Sequence, residues 1–173
     1  QTKEHAVALA ETGHLCMATL HANSANQALD RVINFFPEER RAQLLMDLSL
    51  NLRAVISQRL VRAVNGGLVP AVEVLLNTPY ISDLVQKGKI DYVKDAMEQA
   101  TESGMITFDQ SLFKLYKEGK ISRDEAIKNA DSKNNVGLQI RLSEGTGVGT
   151  SGKAPSPIDL TIRDEETNRG RTL

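Results

Sequence analysis

His21 is the residue of this chain best placed for chemistry, because of what stands on either side of it. Before it runs an apolar stretch, residues 14–20, in which Leu15, Cys16, Met17, Ala18 and Leu20 suit a strand buried on both faces, as in a parallel sheet. After it comes the polar step Ala22-Asn23-Ser24 and then an amphipathic pattern. A histidine at the carboxyl end of a buried strand, just before a helix N-terminus, sits where open α/β sheets bind ligands. The unpaired N–H groups of a helix start favour anions, phosphate above all. The same positive helix end disfavours an imidazolium, so a neutral His21 donating one N–H to a phosphate oxygen fits the position. A histidine satisfied by local backbone fits it too, and is the commoner arrangement. Asn23 and Ser24 stand ready to add contacts, although a role as helix cap already accounts for Ser24. Arg31 lies about two turns into the helix, within reach of a phosphate or a subunit boundary. A solvated or ion-paired arginine is its simpler reading.

Two further patterns imitate sites. Gly147 to Lys153, reading GVGTSGK, resembles the phosphate-binding GxxxxGK[ST] loop, but Ala154 stands where the magnesium-binding hydroxyl belongs. No strand precedes it, and Pro155 and Pro157 prevent a helix from following. His5, His14 and His21 share no helix face, and no cysteine pair accompanies them, so they do not make a metal site.

The elements that position His21 can be read from spacing and punctuation. Residues 3–11 predict a helix ended by Gly13. Ser24 with Gln27 forms a capping box that starts the next helix, with Ala28, Val32, Phe35 and Phe36 along one side and a stop at Pro37. Leu45, Leu48, Leu52 and Val55 predict a long amphipathic helix from Glu38 to about Ser57. A hairpin follows: residues 58–64, a turn at Asn65-Gly66-Gly67, and residues 68–76, with Pro70 near the start of the second strand. Thr78 caps and Pro79 opens a helix over residues 80–86. Residues 90–102 predict another, ended near Gly104. Thr107 with Gln110 opens a third, carrying Phe108, Leu112 and Leu115, and Ser122 with Glu125 a short one that fades by Ala130. Beyond about Ser143, glycine, serine, threonine, proline and charges predict a disordered tail. Within it, alternating Ile158, Leu160 and Ile162 could add a strand to a partner's edge.

Composition bounds the rest. The 173 residues suffice for one sizeable core, and a net charge of −1 points to no obligatory nucleic-acid partner or anionic membrane. One cysteine excludes an internal disulfide, and Cys16 is expected buried as a small hydrophobe. No apolar run approaches a membrane span, no signal peptide is visible, and the chain reads as cytosolic. It starts on Gln1 within a helical pattern, like a piece of something longer.

The stretch ETGHLCMATLHANSANQALDRVINFFPEER resembles the histidine box of the PilT/PilU retraction ATPases, members of the type II/IV secretion ATPase superfamily, leaning towards the PilU branch. The likeness continues through MDLSLNLRAVISQRLV, VEVLLNTPYISDLVQKGKI and GMITFDQSLFKLYKEGKIS, over roughly residues 1 to 142. It implies an α/β fold: the C-terminal part of a RecA-like P-loop ATPase domain, with a partial sheet and hairpin over residues 1–77. A helical subdomain over 78–142 and the tail over 143–173 complete it. It implies that His21 senses or polarises the γ-phosphate of ATP and links that contact to domain movement, with Asn23, Ser24 and Arg31 as candidate nucleotide contacts. The segment from Thr78 to Val85 aligns with the AIRNLI segment that the family ties to pilus retraction, making Tyr80, Ile81, Asp83 and Leu84 candidate partner residues. Tyr80, Ser82 and Asp83 replace its alanine, arginine and asparagine, and an ordinary packed helix explains the segment as well.

The resemblance further implies a hexameric motor, as a homo-hexamer or a mixed ring with a paralogous retraction ATPase, powering pilus retraction and twitching motility. The motor is expected in the cytoplasm, peripheral at the inner membrane and against its pilus platform protein, with ATP and Mg2+ as cofactors. The P-loop, acidic box and catalytic glutamate of the family fall upstream of Gln1, so this stretch alone is expected not to hydrolyse ATP. A pilus-assembly or type II secretion ATPase, or a truncated non-enzymatic ring partner, are the alternatives. The cysteine-based zinc module often found in this half of the assembly and secretion ATPases is missing, which favours the retraction branch.

Overall fold

The computed structural model describes residues 2–100 and 103–145; the glycine-rich loop, the alternating Ile158–Ile162 segment and nearly all of the expected tail lie outside these. Among the described residues eight α-helices and one hairpin follow in the order α1 Thr2–Glu11, α2 Ala25–Asn34, α3 Glu38–Asn51, β1 Ala54–Arg62, β2 Leu68–Leu76, α4 Pro79–Gln86, α5 Val93–Gln99, α6 Phe108–Lys117, α7 Arg123–Asn129 and α8 Lys133–Gly145. A 3-10 turn, Ile90–Tyr92, leads into α5.

Local signals placed several of these where expected. Gly13 follows α1 at φ +86°. Thr78 accepts from the Ile81 N–H with Pro79 at the first helical position, and Ser122 accepts from Glu125 N–H. Thr107 and Gln110 close a full capping box. β1 and β2 pair antiparallel from Ala54 opposite Leu76 to Arg62 opposite Leu68. Gly66 and Gly67 take φ +83° and +80° in the turn, a region that a side chain disfavours. The N–H groups of Val72 and Val74 point away from β1, to Ser111 Oγ and Ile106 O. Pro70 shares that outward phase, so its missing N–H breaks no bond to β1.

Four expectations are corrected. Residues 14–20 form neither helix nor ladder, and Leu15 and Met17 are 82 % and 91 % exposed; Cys16 is exposed with them. A strand buried on both faces needs neighbours at both edges, and the sheet among the described residues is the two-stranded hairpin alone. α3 stops at Asn51, and the chain turns extended at Leu52 because Val55 and Ile56 pair with Leu75 and Val74. α2 buries Ala25, Ala28 and Leu29, while Phe35 is left half exposed just past its end. The helix expected over residues 90–102 is a 3-10 turn and a two-turn α5. One helix, α8, was not foreseen at all.

Two apolar clusters hold the fold. One joins Ala25 and Leu29 of α2 and Leu75 of β2 to Ile81, Leu84, Val85, Val93 and Met97. The other joins Val61 and Ala71 of the hairpin to Phe108, Leu112, Ile121, Val136 and Ile140. The hairpin contributes to both from one face, Leu75 to the first and Val61 and Ala71 to the second.

Candidate functional site

The step from residue 20 to Ala25 is short and tightly specified. His21 is exposed. Ser24 takes an extended conformation as cap and accepts from Gln27 N–H at 3.3 Å. The reciprocal bond of the expected capping box goes elsewhere: Gln27 Oε1 accepts from Asn23 N–H at 3.1 Å.

Two side chains from the hairpin complete this step. Glu73 is 2 % exposed, and its Oε1 accepts from the Ala25 N–H at 2.7 Å. Burial pushes the Glu73 carboxyl above the usual carboxylate range, with Asp131 adding to the rise and the Ala25 and Phe108 N–H groups and Arg59 opposing it. Arg59 lies opposite Ala71 in the register, two residues along the same face from Glu73. Its Nε and Nη2 both donate to Asn23 O, at 3.2 and 3.1 Å, and its Nη1 donates to Asn129 O at 3.2 Å and Asp131 Oδ1 at 2.7 Å. The guanidinium carbon stands 3.9 Å from the centroid of the buried Phe108 ring. Burial pushes the Asp131 carboxyl up, but Arg59 and Lys94, the latter 3.1 Å away, outweigh it and hold the group below its ordinary value. Asp109, also buried, accepts from the Asp131 and Ser132 N–H groups at 2.7 and 3.0 Å.

Of the residues singled out from sequence, His21, Asn23 and Ser24 lie within this one short step. Arg31 does not join them. It is exposed in the last turn of α2, about 10 Å along the axis from the cap at 1.5 Å per residue. The Tyr80–Leu84 segment forms a separate surface on α4. Ile81 and Leu84 are 0 % and 5 % exposed, so they serve the core and cannot contact a partner as expected. Tyr80 is exposed, Asp83 pairs with Lys87 at 2.8 Å, and Ser82 Oγ ties α4 to Ser49 O of α3. Sequence reasoning missed Arg59, Glu73 and Asp109. The first two left a legible trace: charges at inward positions of strands whose neighbours Val61, Ala71 and Leu75 are apolar and buried.

Chemically, the step can offer an imidazole and the Asn23 amide to an anion. The helix start is less open than a bare N-terminus, since Ala25 N–H is committed to Glu73 and Gln27 N–H to Ser24. No group of three His, Cys, Asp or Glu able to hold a metal occurs among the described residues. Beside the step, residues 16–22 and the start of β1 flank a cavity of about 450 Å3, bordered by Ala18, Leu20, Leu52, Val55 and Ile56.

A family model described as type II/IV secretion system protein matches residues 1–107. The chain is 48 % identical over 167 residues to the type IV pilus ATPase PilU of Pseudomonas aeruginosa, covering 96 % of the chain and 44 % of that protein. To the pilus retraction ATPase PilT of the same organism it is 39 % identical over 130 residues, covering 75 % and 38 %. A solved structure of the pilus retraction motor PilT with bound ADP superposes with a TM-score of 0.68 at 36 % identity, over 76 % of this chain and 36 % of that one. The chain therefore spans less than half the length of these relatives.

Proposed function

The chain belongs to the type II/IV secretion system protein family, and we propose that it is the C-terminal part of a motor ATPase that powers type IV pilus retraction and twitching motility. The similarity to PilU over 96 % of the chain supports the retraction branch over an assembly or secretion ATPase. ATP binding and hydrolysis are assigned to the complete motor, a hexamer or a ring mixed with a paralogous retraction ATPase. It works in the cytoplasm against a pilus platform protein of the inner membrane. Residues 1–77 are assigned to the ATPase core and 78–142 to the helical subdomain.

The observation that carries this reading is His21, exposed at the end of an apolar segment and three residues before a helix cap. In the complete motor His21 donates to the γ-phosphate of ATP, with Asn23 beside it, while Mg2+ is held by groups outside this stretch. The edge of β1 not paired to β2 and residues 16–22 flank the cavity described above. A further strand of the complete motor fits between them and would complete the ladder on both sides. Tyr80 and the Asp83 side of α4 form the surface offered to a neighbour or to the platform.

His21→Ala in the complete motor tests the assignment. The ring, measured by size, stays intact, and ATP turnover falls by roughly a hundredfold, the scale for losing one donor to developing charge. Unchanged turnover would sink the phosphate role.

A further inference from the structure

The backbone groups on either side of the Ser24 cap are both held from outside their own segment. On one side the Asn23 carbonyl receives two N–H groups of a single guanidinium, Nε and Nη2 of Arg59. On the other the Ala25 N–H is received by the buried Glu73 carboxylate. Only a planar, forked cation can grip one carbonyl with two donors and keep a third nitrogen for another partner. Arg59 uses that third nitrogen on Asn129 O at the end of α7 and on Asp131 in the connection between α7 and α8. That connection is itself tethered, through the Asp131 and Ser132 N–H groups on Asp109 and through Lys94 on Asp131. One side chain thus bridges the His21 step and the α7–α8 region, and its flat face is seated on Phe108.

We infer that Arg59 is a positioning residue for His21, with Glu73 as the second fixed point. The Arg59–Asp131 pair makes the placement of the His21 step depend on the α7–α8 connection. This rests on the reading of His21 as the phosphate contact. Because such a coupling is reciprocal, a phosphate that pulls on His21 is also felt at Asp131. The arrangement gives the motor a route by which nucleotide state at the core reaches the helical subdomain.

The test uses Arg59→Gln, Asp131→Asn and the double variant. In this chain, amide hydrogen exchange at Ala25 and Asn26 speeds up in each variant, while exchange at Ile81 and Val85 in α4 stays as in the parent. In the complete motor kcat falls about tenfold and KM for ATP stays within about twofold, and the double variant is no worse than Arg59→Gln alone. Unchanged exchange at Ala25 overturns the tether. Changed exchange with unaltered kcat, or losses that multiply in the double variant, overturns the coupling. Asp131 sits at the surface, so Asp131→Asn keeps both questions answerable if Arg59→Gln unfolds the chain. His21→Ala separates the two levels: if it leaves turnover intact, the phosphate reading fails, whereas the exchange result still decides the tether.

Discussion

Asp109→Ala should detach α8 from the rest of the fold. Asp109 stands in the first turn of α6, 6 % exposed, and its two oxygens receive the N–H groups of Asp131 and Ser132, the residues leading into α8. Bonds from N–H to a charged acceptor contribute about 1.5–3 kcal/mol each. Asp131 is exposed and Ser132 partly so, and water recovers part of the loss once the carboxylate is gone. Lys94, 3.9 Å from Asp109, adds little at that distance. The sum is about 2–4 kcal/mol for Asp109→Ala, and about half for Asp109→Asn, which keeps one acceptor oxygen. α8 depends on this anchor because only Val136 and Ile140 of its residues are fully in the core. Urea unfolding followed by circular dichroism gives the total, and hydrogen exchange over residues 133–145 locates it. A loss below about 0.5 kcal/mol, the usual scatter of surface substitutions, would refute the reasoning. So would a full loss that left exchange in α8 unchanged, since the anchor would then be stabilising something else.

Glu73→Gln should change the slope of stability against pH. The folded-state carboxyl is raised, so its ionisation penalises the native state, and the penalty grows as pH rises from the ordinary carboxylate range through the raised value. The stability difference, variant minus parent, therefore moves in the variant's favour as pH rises above the ordinary carboxylate range, about pH 4, measured by urea unfolding at each pH. A difference that is flat or falls above that range contradicts the burial argument. On α4, Ile81→Ala should destabilise by about 2–5 kcal/mol and Tyr80→Ala by about 0.5 kcal/mol or less, since one side chain is wholly buried and the other mostly exposed. Similar losses at both positions would mean that Tyr80 is packed, and not available to a partner.

What the sequence revealed divides by the distance between cause and effect. Thr78, Thr107 and Ser122 each bond an N–H three residues on, and the turn at Gly66-Gly67 is fixed by its own backbone angles. Each rule acts within a few residues, and each was legible. Residues 14–20 carry the composition of a buried strand, yet a ladder is a property of neighbours, and the hairpin's free edge does not reach them. α3 ends at Asn51, short of its apolar spacing, for a related reason. Val55 continues the apolar spacing of the helix, but its β-branched neighbourhood gains more by pairing with Leu75. Of the candidate site, His21, Asn23 and Ser24 stand side by side in the sequence itself. Arg59 and Glu73 were not legible there, because their partners lie 36 and 48 residues away.

Glu73 and Asp109 share a logic that bears on how the site works. Each is a buried carboxylate from one element that receives backbone N–H groups where another helix begins, α2 in one case and the approach to α8 in the other. Helix starts favour negative charge, and here the fold itself supplies it. The lead-in to α8 needs no strong signal of its own in Asn134, Asn135 and Gly137, because its anchor sits 22 residues upstream. At α2 the consequence is chemical. An anion approaching the His21 step finds the Ala25 N–H already taken and a carboxylate behind it, so the helix amides contribute less than a bare N-terminus would. On the proposed reading, recognition then falls to the imidazole itself, and its placement falls to the Arg59 clamp. A site built this way holds a phosphate by one movable side chain instead of a fixed nest of amides, which suits a contact that has to form and release with every turnover.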